Sequence, residues 1–316
     1  MSVNIGISLV TVGLVTTCVL CSPAHSDDAI SLTPMARATA EQLDVLGRQP
    51  TPHEVEWSVL VQWEKVPNGL FQLSVPEFVI SLKRRQLDYV CGQRWITDGD
   101  GGWKTEVPYQ LVRRPSPKDR IVPYAPYPAK LSAWVKPASD HVDVHLRFSN
   151  RSGKQLDPQV FWICLLSGYG GPEFDQLTVP GFSRDTYFSR DDRFLPWRPQ
   201  EDDYVFMAAK GSALTQLGWD HHEFYQQRDG TAMAVKEHAA ADGVRAAIIE
   251  TPGGRCVVGL TSDSAAILGG KIMNPCTDLG LGFGPLAHGD AVDLRATAWF
   301  VEGGLSELRK KIETAD

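Results

Sequence analysis

HVDVHLRFSN, residues 141–150, alternates without a break: Val142, Val144, Leu146 and Phe148 fall on one side, Asp143, His145 and Arg147 on the other. Successive side chains of a strand point to opposite faces, so a period of two marks a strand with one face in a core and one toward water. EVEWSVLVQWE, residues 54–64, repeats the pattern: Val55, Trp57, Val59, Val61 and Trp63 alternate with Glu56, Ser58 and Gln62. AVDLRATAWFV, residues 291–301, repeats it near the end of the chain.

Between these anchors lie shorter β-like runs, FQLSV, FVISL, QVFWICLL, YVFMAA, VRAAIIE and RCVVGL, punctuated by Gly, Pro, Asn and Asp clusters. Many short strands with almost no helical pattern predict an all-β fold, an antiparallel β-sandwich or supersandwich. The 28 Gly and 21 Pro serve its turns, and SNRSGKQLDP reads as a hairpin connection built on Asn150 and Gly153. A short N-terminal helix is expected from Thr33-Pro34 to Gly47, because Thr caps, Pro suits the first helical position and Gly suits the exit. LSELRKKIE reads as a C-terminal helix with Leu305, Leu308 and Ile312 on the side that docks on the sandwich edge.

The first 26 residues read as an export signal. Ile5 to Leu20 is apolar or small throughout, the length of a signal core and short for a bilayer span, and Ala24-His25-Ser26 supplies a small-x-small cleavage pattern. Cys18 and Cys21 follow Thr and Leu, so release is favoured over lipid anchoring. The expected product is periplasmic or extracellular, with no stable membrane span after cleavage. About 290 residues remain, divided into an N-terminal helix and linker over 27–53 and a β-sandwich over 54–316. With 31 basic and 38 acidic residues, net charge −7 and no basic block, the footprint of a nucleic-acid binder is missing. Four cysteines survive cleavage, Cys91, Cys164, Cys256 and Cys276, enough for up to two disulfides in an oxidising compartment. Burial as small apolar side chains explains them equally well.

Two segments carry candidate chemistry. FSRDTY at 182–187 is followed at once by FSRDDR at 188–193, inside a charged, aromatic stretch without steady period that reads as a long excursion over 168–203. GWDHHEF at 218–224 crowds Asp220, His221, His222 and Glu223 between aromatic residues. A His beside a carboxylate can exchange protons at neutral pH, which makes these four the catalytic candidates. Metal ligation by Asp220 and His222 needs a third group such as Glu237 or His238 and matches no zinc spacing, so no metal set is assigned. A solvated surface turn explains the same letters. Saccharide sites combine aromatic faces with planar polar groups, so Tyr187, Asp191, Arg193, Trp197, Trp219 and Tyr225 are the binding candidates. Trp57, Trp63, Trp162 and Trp299 suit the core instead. Nucleotide, hydrolase-elbow and zinc-protease motifs are missing, so no cofactor is named.

HVDVHLRFSNRSGKQL, GGRCVVGL, NPCTD and LAHGDAVDLRATAWFVEGGLSEL, in this order over Val142 to Leu308, resemble a group of secreted bacterial β proteins. The C-terminal piece is similar in style to galactose-mutarotase-like supersandwiches. The resemblance implies that fold and a sugar-facing context, and it is the ground for ligand roles at Asn274 and Asp278 of NPCTD. That sequence has a structural reading too: Asn-Pro starts a turn, and Asp278 caps a Gly280-Leu281-Gly282 loop. The expected function is an exported carbohydrate-binding or accessory protein of glycan utilisation, with a glycan or small saccharide as partner. The alternatives are a carbohydrate-active enzyme, whether lyase, epimerase or metal-assisted hydrolase, using the 220–223 cluster, and a cell-surface structural protein.

Overall fold

The computed structural model describes residues 30–45, 58–81, 86–91, 94–112, 125–166, 182–197, 204–209, 224–226, 232–270 and 276–315. The export signal over 1–26 lies outside them. No helix among the described residues is long and apolar enough to cross a membrane.

In chain order the strands are β1 (Ile30–Pro34), β2 (Ser58–Trp63), β3 (Leu70–Ser81), β4 (Gln86–Cys91), β5 (Ile96–Gly99), β6 (Gly102–Val112) and β7 (Ala125–Pro137). There follow β8 (His141–Asn150), β9 (Gln159–Leu166), β10 (Phe182–Arg190), β11 (Arg193–Trp197), β12 (Tyr204–Ala209) and β13 (Phe224–Gln226). The last are β14 (Ala232–Ala241), β15 (Val244–Thr251), β16 (Gly254–Thr261), β17 (Ala265–Gly270), β18 (Cys276–Phe283) and β19 (Ala291–Glu302). Among the described residues two α-helices accompany them, α1 (Ala40–Val45) and α2 (Leu305–Ala315).

Pairing resolves the strands into two sheets. The first runs β1-β2-β3-β9-β18-β17-β12-β14-β13, antiparallel except for β12 with β14. The second runs β11-β10-β15-β16-β19-β8-β7-β6-β5 and is antiparallel throughout. β4 pairs with both β3 and β6 and so joins the two. The result is an all-β sandwich of the expected class.

The inner faces meet through the alternating residues that defined the strands. Val59, Val61, Leu73, Ile163 and Leu279 of the first sheet share a core with Leu131, Val144, Leu146, Val258 and Leu294 of the second. Edge-on aromatic pairs cross the layer, Phe148 with Phe161 at 5.1 Å and Phe71 with Phe300 at 5.2 Å between centroids. Each such buried ring contributes roughly 1.5–3 kcal/mol through removal from water.

Three boundaries differ from the sequence expectation. The N-terminal helix starts after Thr39, and Ile30–Pro34 instead pairs with β2. Thr39 and Gln42 form a reciprocal capping box, Gln42 N–H donating to Thr39 Oγ1 at 3.2 Å and Thr39 N–H to Gln42 Oε1 at 3.0 Å, and this outweighs the Thr-Pro signal. SNRSGKQLDP carries the chain from the second sheet to the first, so β8 and β9 are not hairpin partners. The buried Asn150 amide holds that crossing by donating to Lys154 O and Leu286 O at 2.7 and 2.9 Å. Helix α2 docks face-on: Leu308 is buried on Ala246, Val257, Trp299 and Val301, from three neighbouring strands of the second sheet.

Candidate functional site on the outer face of the first sheet

Directly opposed residues on neighbouring strands project to one face. The registers Ser58 with Ser74, Ser74 with Cys164, Cys164 with Asp278 and Asp278 with Gly269 therefore lay one row across five strands of the first sheet, on the side away from the core. The next row on that face is Leu60, Gln72, Leu166 and Cys276. An outer face ought to be wet, yet Ser58, Gln72, Ser74, Cys164, Cys276 and Asp278 are all buried. The N-terminal segment accounts for part of the cover: Met35 packs on Leu60 and Leu70, with Ala38 and Leu43 beside it.

The polar atoms in this dry strip are only partly satisfied. Gln72 Nε2 donates to Ser58 Oγ at 3.1 Å, and the Ser58 and Ser74 hydroxyls pair at 2.9 Å. Gln72 Oε1 and Asp278 Oδ1 have no hydrogen-bond partner among the described residues. A buried acceptor left unpaired costs about 1–3 kcal/mol, which is why such atoms are uncommon.

Charge is costly here as well. Burial pushes the Asp278 carboxyl up to about 7, against the opposing effects of Cys164, Arg245, Cys276 and Trp162. Cys276 rises to about 12 through burial, and Cys164 rises well above the ordinary thiol value through its hydrogen bond with Cys276 and through burial. Arg245, 2 % exposed, falls to about 10 for the same reason, with Asp278 opposing. Its guanidinium is held by Gly269 O, Tyr187 O and Thr186 Oγ1 at 3.2, 3.2 and 2.7 Å.

Cys164, Cys256 and Cys276 are free thiols. Cys164 and Cys276 stand 3.3 Å apart at sulfur, against about 2.05 Å for a disulfide, so the expected bridge is not formed among these three. Cys256 sits in the core between the sheets.

Farther along the same face a groove of about 810 Å³ opens between the N-terminal segment and the β2–β3 turn, lined in part by Arg37, Glu41, Gln62, Glu64 and Asn68. The turn wall is tightly built. Trp63 N–H donates to Gly69 O at 2.8 Å, and a Cβ on Gly69 would lie 2.6 Å from Trp63 O, so only glycine fits. Arg37 lies over the Trp103 ring at 5.1 Å. Stacking orders the guanidinium and leaves its N–H donors available.

Trp219, Asp220, His221, His222, Glu223 and Asn274 lie outside the described residues. Tyr225 is on β13 and Trp197 on β11. Within the stretch read as an excursion, residues 182–197 form a hairpin on the rim of the second sheet, turning at Asp191 and Asp192 with φ of 47° and 57°. Asp191 and Arg193 are exposed at that turn, and Tyr187 is half-buried against the α2 cluster. Asp278 lies in the buried strip. NPCTD reads as a turn and loop, yet Cys276–Phe283 is a strand. Its glycines give room: a Cβ on Gly280 would stand 2.5 Å from Val160 Cγ1 and 3.2 Å from Trp162. Sequence reasoning passed over Ser58, Gln72, Ser74 and Cys164. Their signal is polar or sulfur-bearing residues at every second place of otherwise apolar strands. Gln62 belongs to the same alternation, four residues after Ser58 on β2, and Arg37 carries no such signal.

No family model matches the chain, and no curated protein matches it. Among solved structures it is similar to a galactose mutarotase-like protein from Lactobacillus casei, at 10 % identity over 79 % of this chain and 95 % of that one, TM-score 0.38. Its solved neighbours are galactose-mutarotase-like folds. They include a galactose mutarotase related enzyme from Lactobacillus acidophilus, at 9 % identity over 79 % and 98 % of the two chains, TM-score 0.35. An α-galactosidase from Geobacillus stearothermophilus, solved with raffinose, matches at 10 % identity over 75 % of this chain and 33 % of its own, TM-score 0.34.

Proposed function

We propose that the protein is an exported saccharide-binding protein that holds its ligand in the groove between residues 33–42 and 62–70. The observation that carries this reading is the groove itself. About 810 Å³ is room for a small saccharide, since ligand pockets run from about 300 to 1,000 Å³. Its lining groups Arg37, Glu41, Gln62, Glu64 and Asn68 are planar or forked hydrogen-bonding groups. Such groups match paired vicinal hydroxyls, which need a donor and an acceptor from the same direction. The stacked Arg37 and the glycine-locked turn fix the walls in advance, so little ordering opposes binding. Export rests on the first 26 residues, with the mature chain beginning near Asp27.

Affinity electrophoresis of the mature protein in gels containing a panel of glycans tests the binding. At least one glycan retards the protein, and Arg37→Ala or Gln62→Ala weakens that retardation by about tenfold, the loss of one hydrogen bond to a charged or polar partner. No retardation by any glycan, or unchanged retardation in both variants, overturns the reading. N-terminal sequencing of protein recovered from outside the cytoplasm tests export, and an intact residue 1 on that protein contradicts cleavage.

A further inference from the structure

The strip on the first sheet contains a constellation that saccharide binding leaves unused. Cys164, Cys276 and Asp278 bring two sulfurs and a carboxylate oxygen within 4.8 Å of one another, all buried. Two further observations point to an occupant. The Asp278 carboxyl, on a residue 1 % exposed, is hydrogen-bonded to Cys164, Cys276 and Trp162, yet its Oδ1 has no partner among the described residues. And the register sets Cys164 opposite Asp278, with Cys276 on the diagonal.

That diagonal weighs against a cross-link. Diagonal neighbours across a sheet stand about 7–8 Å apart at Cα and somewhat less at Cβ, whereas a disulfide draws its Cβ atoms to about 3.8 Å. Closing one here would need Cβ atoms closer than that diagonal spacing. Tetrahedral metal–sulfur bonds of about 2.3 Å hold two thiolates about 3.8 Å apart, so the two thiols, 3.3 Å apart at sulfur, open by about 0.5 Å to seat the ion. The donor set is also suited to such an ion: thiolates select thiophilic cations, and a single carboxylate is compatible with zinc.

We propose that Cys164, Cys276 and Asp278 form a binding site for a thiophilic divalent cation, with Zn(II) the best match and a fourth position open to water. On binding, each thiol releases its proton to solvent and forms a metal–sulfur bond, Asp278 coordinates as the carboxylate, and the ion sheds water; no electron changes hands. The two thiolates and the carboxylate carry one negative charge more than the cation, and the buried guanidinium of Arg245, whose charge acts on both Asp278 and Cys276, offsets it. A buried site that closes neutral avoids the desolvation cost of an uncompensated ion.

The test uses the full chain, reduced, stripped with chelator, loaded with Zn(II) alone and passed through gel filtration before elemental analysis. Wild type and Cys256→Ser, whose thiol lies in the core away from the strip, each retain one more equivalent of zinc than Cys276→Ser. Co(II) in place of zinc gives thiolate charge-transfer absorption and tetrahedral d–d bands, both lost in Cys276→Ser. If that variant does not fold, Asp278→Asn keeps both sulfurs and shows the charge-transfer band with weakened affinity. Equal zinc in wild type and Cys276→Ser, equal affinity in wild type and Asp278→Asn, or a Cys164–Cys276 cross-linked peptide from freshly purified protein overturns the proposal.

Discussion

The two sheets of the sandwich present outer faces that differ in kind. On the second sheet, away from α2, Asp293, Arg147 and His145 reach water and satisfy one another: His145 Nε2 meets Asp293 Oδ1 at 2.7 Å, Arg147 Nη1 donates to Asp293 Oδ2 at 2.9 Å, and Trp134 stacks on His145 at 4.8 Å. On the first sheet the strip from Ser58 to Asp278 is dry, and two of its acceptors have no partner among the described residues. A polar side chain in water needs no further explanation, because water completes its hydrogen bonds. One buried without a partner costs free energy that folding has to offset, and such a cost is commonly retained where it serves a site. The first sheet is therefore where function is sought.

One substitution made on both faces gives the largest contrast. Trp162, 1 % exposed and stacked on Phe78 at 5.1 Å, is expected to lose roughly 3–5 kcal/mol on change to Ala, whereas Trp134→Ala loses under about 1 kcal/mol. Urea melts decide, and equal losses erase the distinction between the faces. Next is Gly280→Ala, whose new Cβ would lie 2.5 Å from Val160 Cγ1. Overpacking of this kind costs about 1–3 kcal/mol; an unchanged midpoint would show that the strip yields easily. Smaller again is the Arg147–Asp293 pair, with side chains 52 % and 42 % exposed. A double-mutant cycle is expected to give about 0.2–1 kcal/mol, shrinking as salt rises.

The smallest effect is a pH dependence on the second sheet. Asp143, 3.6 Å from Nε2, and Asp140, 2.7 Å from Nδ1, raise the His141 pKa against partial burial. A histidine raised on folding stabilises the protein below its unfolded value of about 6.5, and that contribution fades as pH climbs through the folded value. Thermal melts of His141→Asn and wild type should thus differ at about pH 6 and converge by about pH 9. Divergence with rising pH would mean that the carboxylates do not hold the imidazolium.

What the sequence revealed depended on which side of a strand met water. β8 was legible because one face is core and the other solvent, so Val142 to Phe148 alternate. β10 was not: Tyr187 packs under α2 while Phe188 packs in the core, and burial on both sides leaves no period of two. β18 was obscured by Gly280 and Gly282, which resemble a loop and serve as close contacts for Val160 and Ala266. Asp278 drew notice through NPCTD alone, because its neighbours Cys164, Ser74 and Ser58 come from strands over 100 residues away and only register joins them. The groove is a product of how the N-terminal segment lies on β2 and β3, and no local pattern announces that.

The most direct test of a functional first sheet is hydrogen exchange with and without the saccharide that binds best in the glycan panel. Slower exchange confined to peptides covering 33–45 and 62–70, with 130–150 unchanged, is the predicted result. Protection at 130–150 alone would place the ligand on the second sheet and contradict the account.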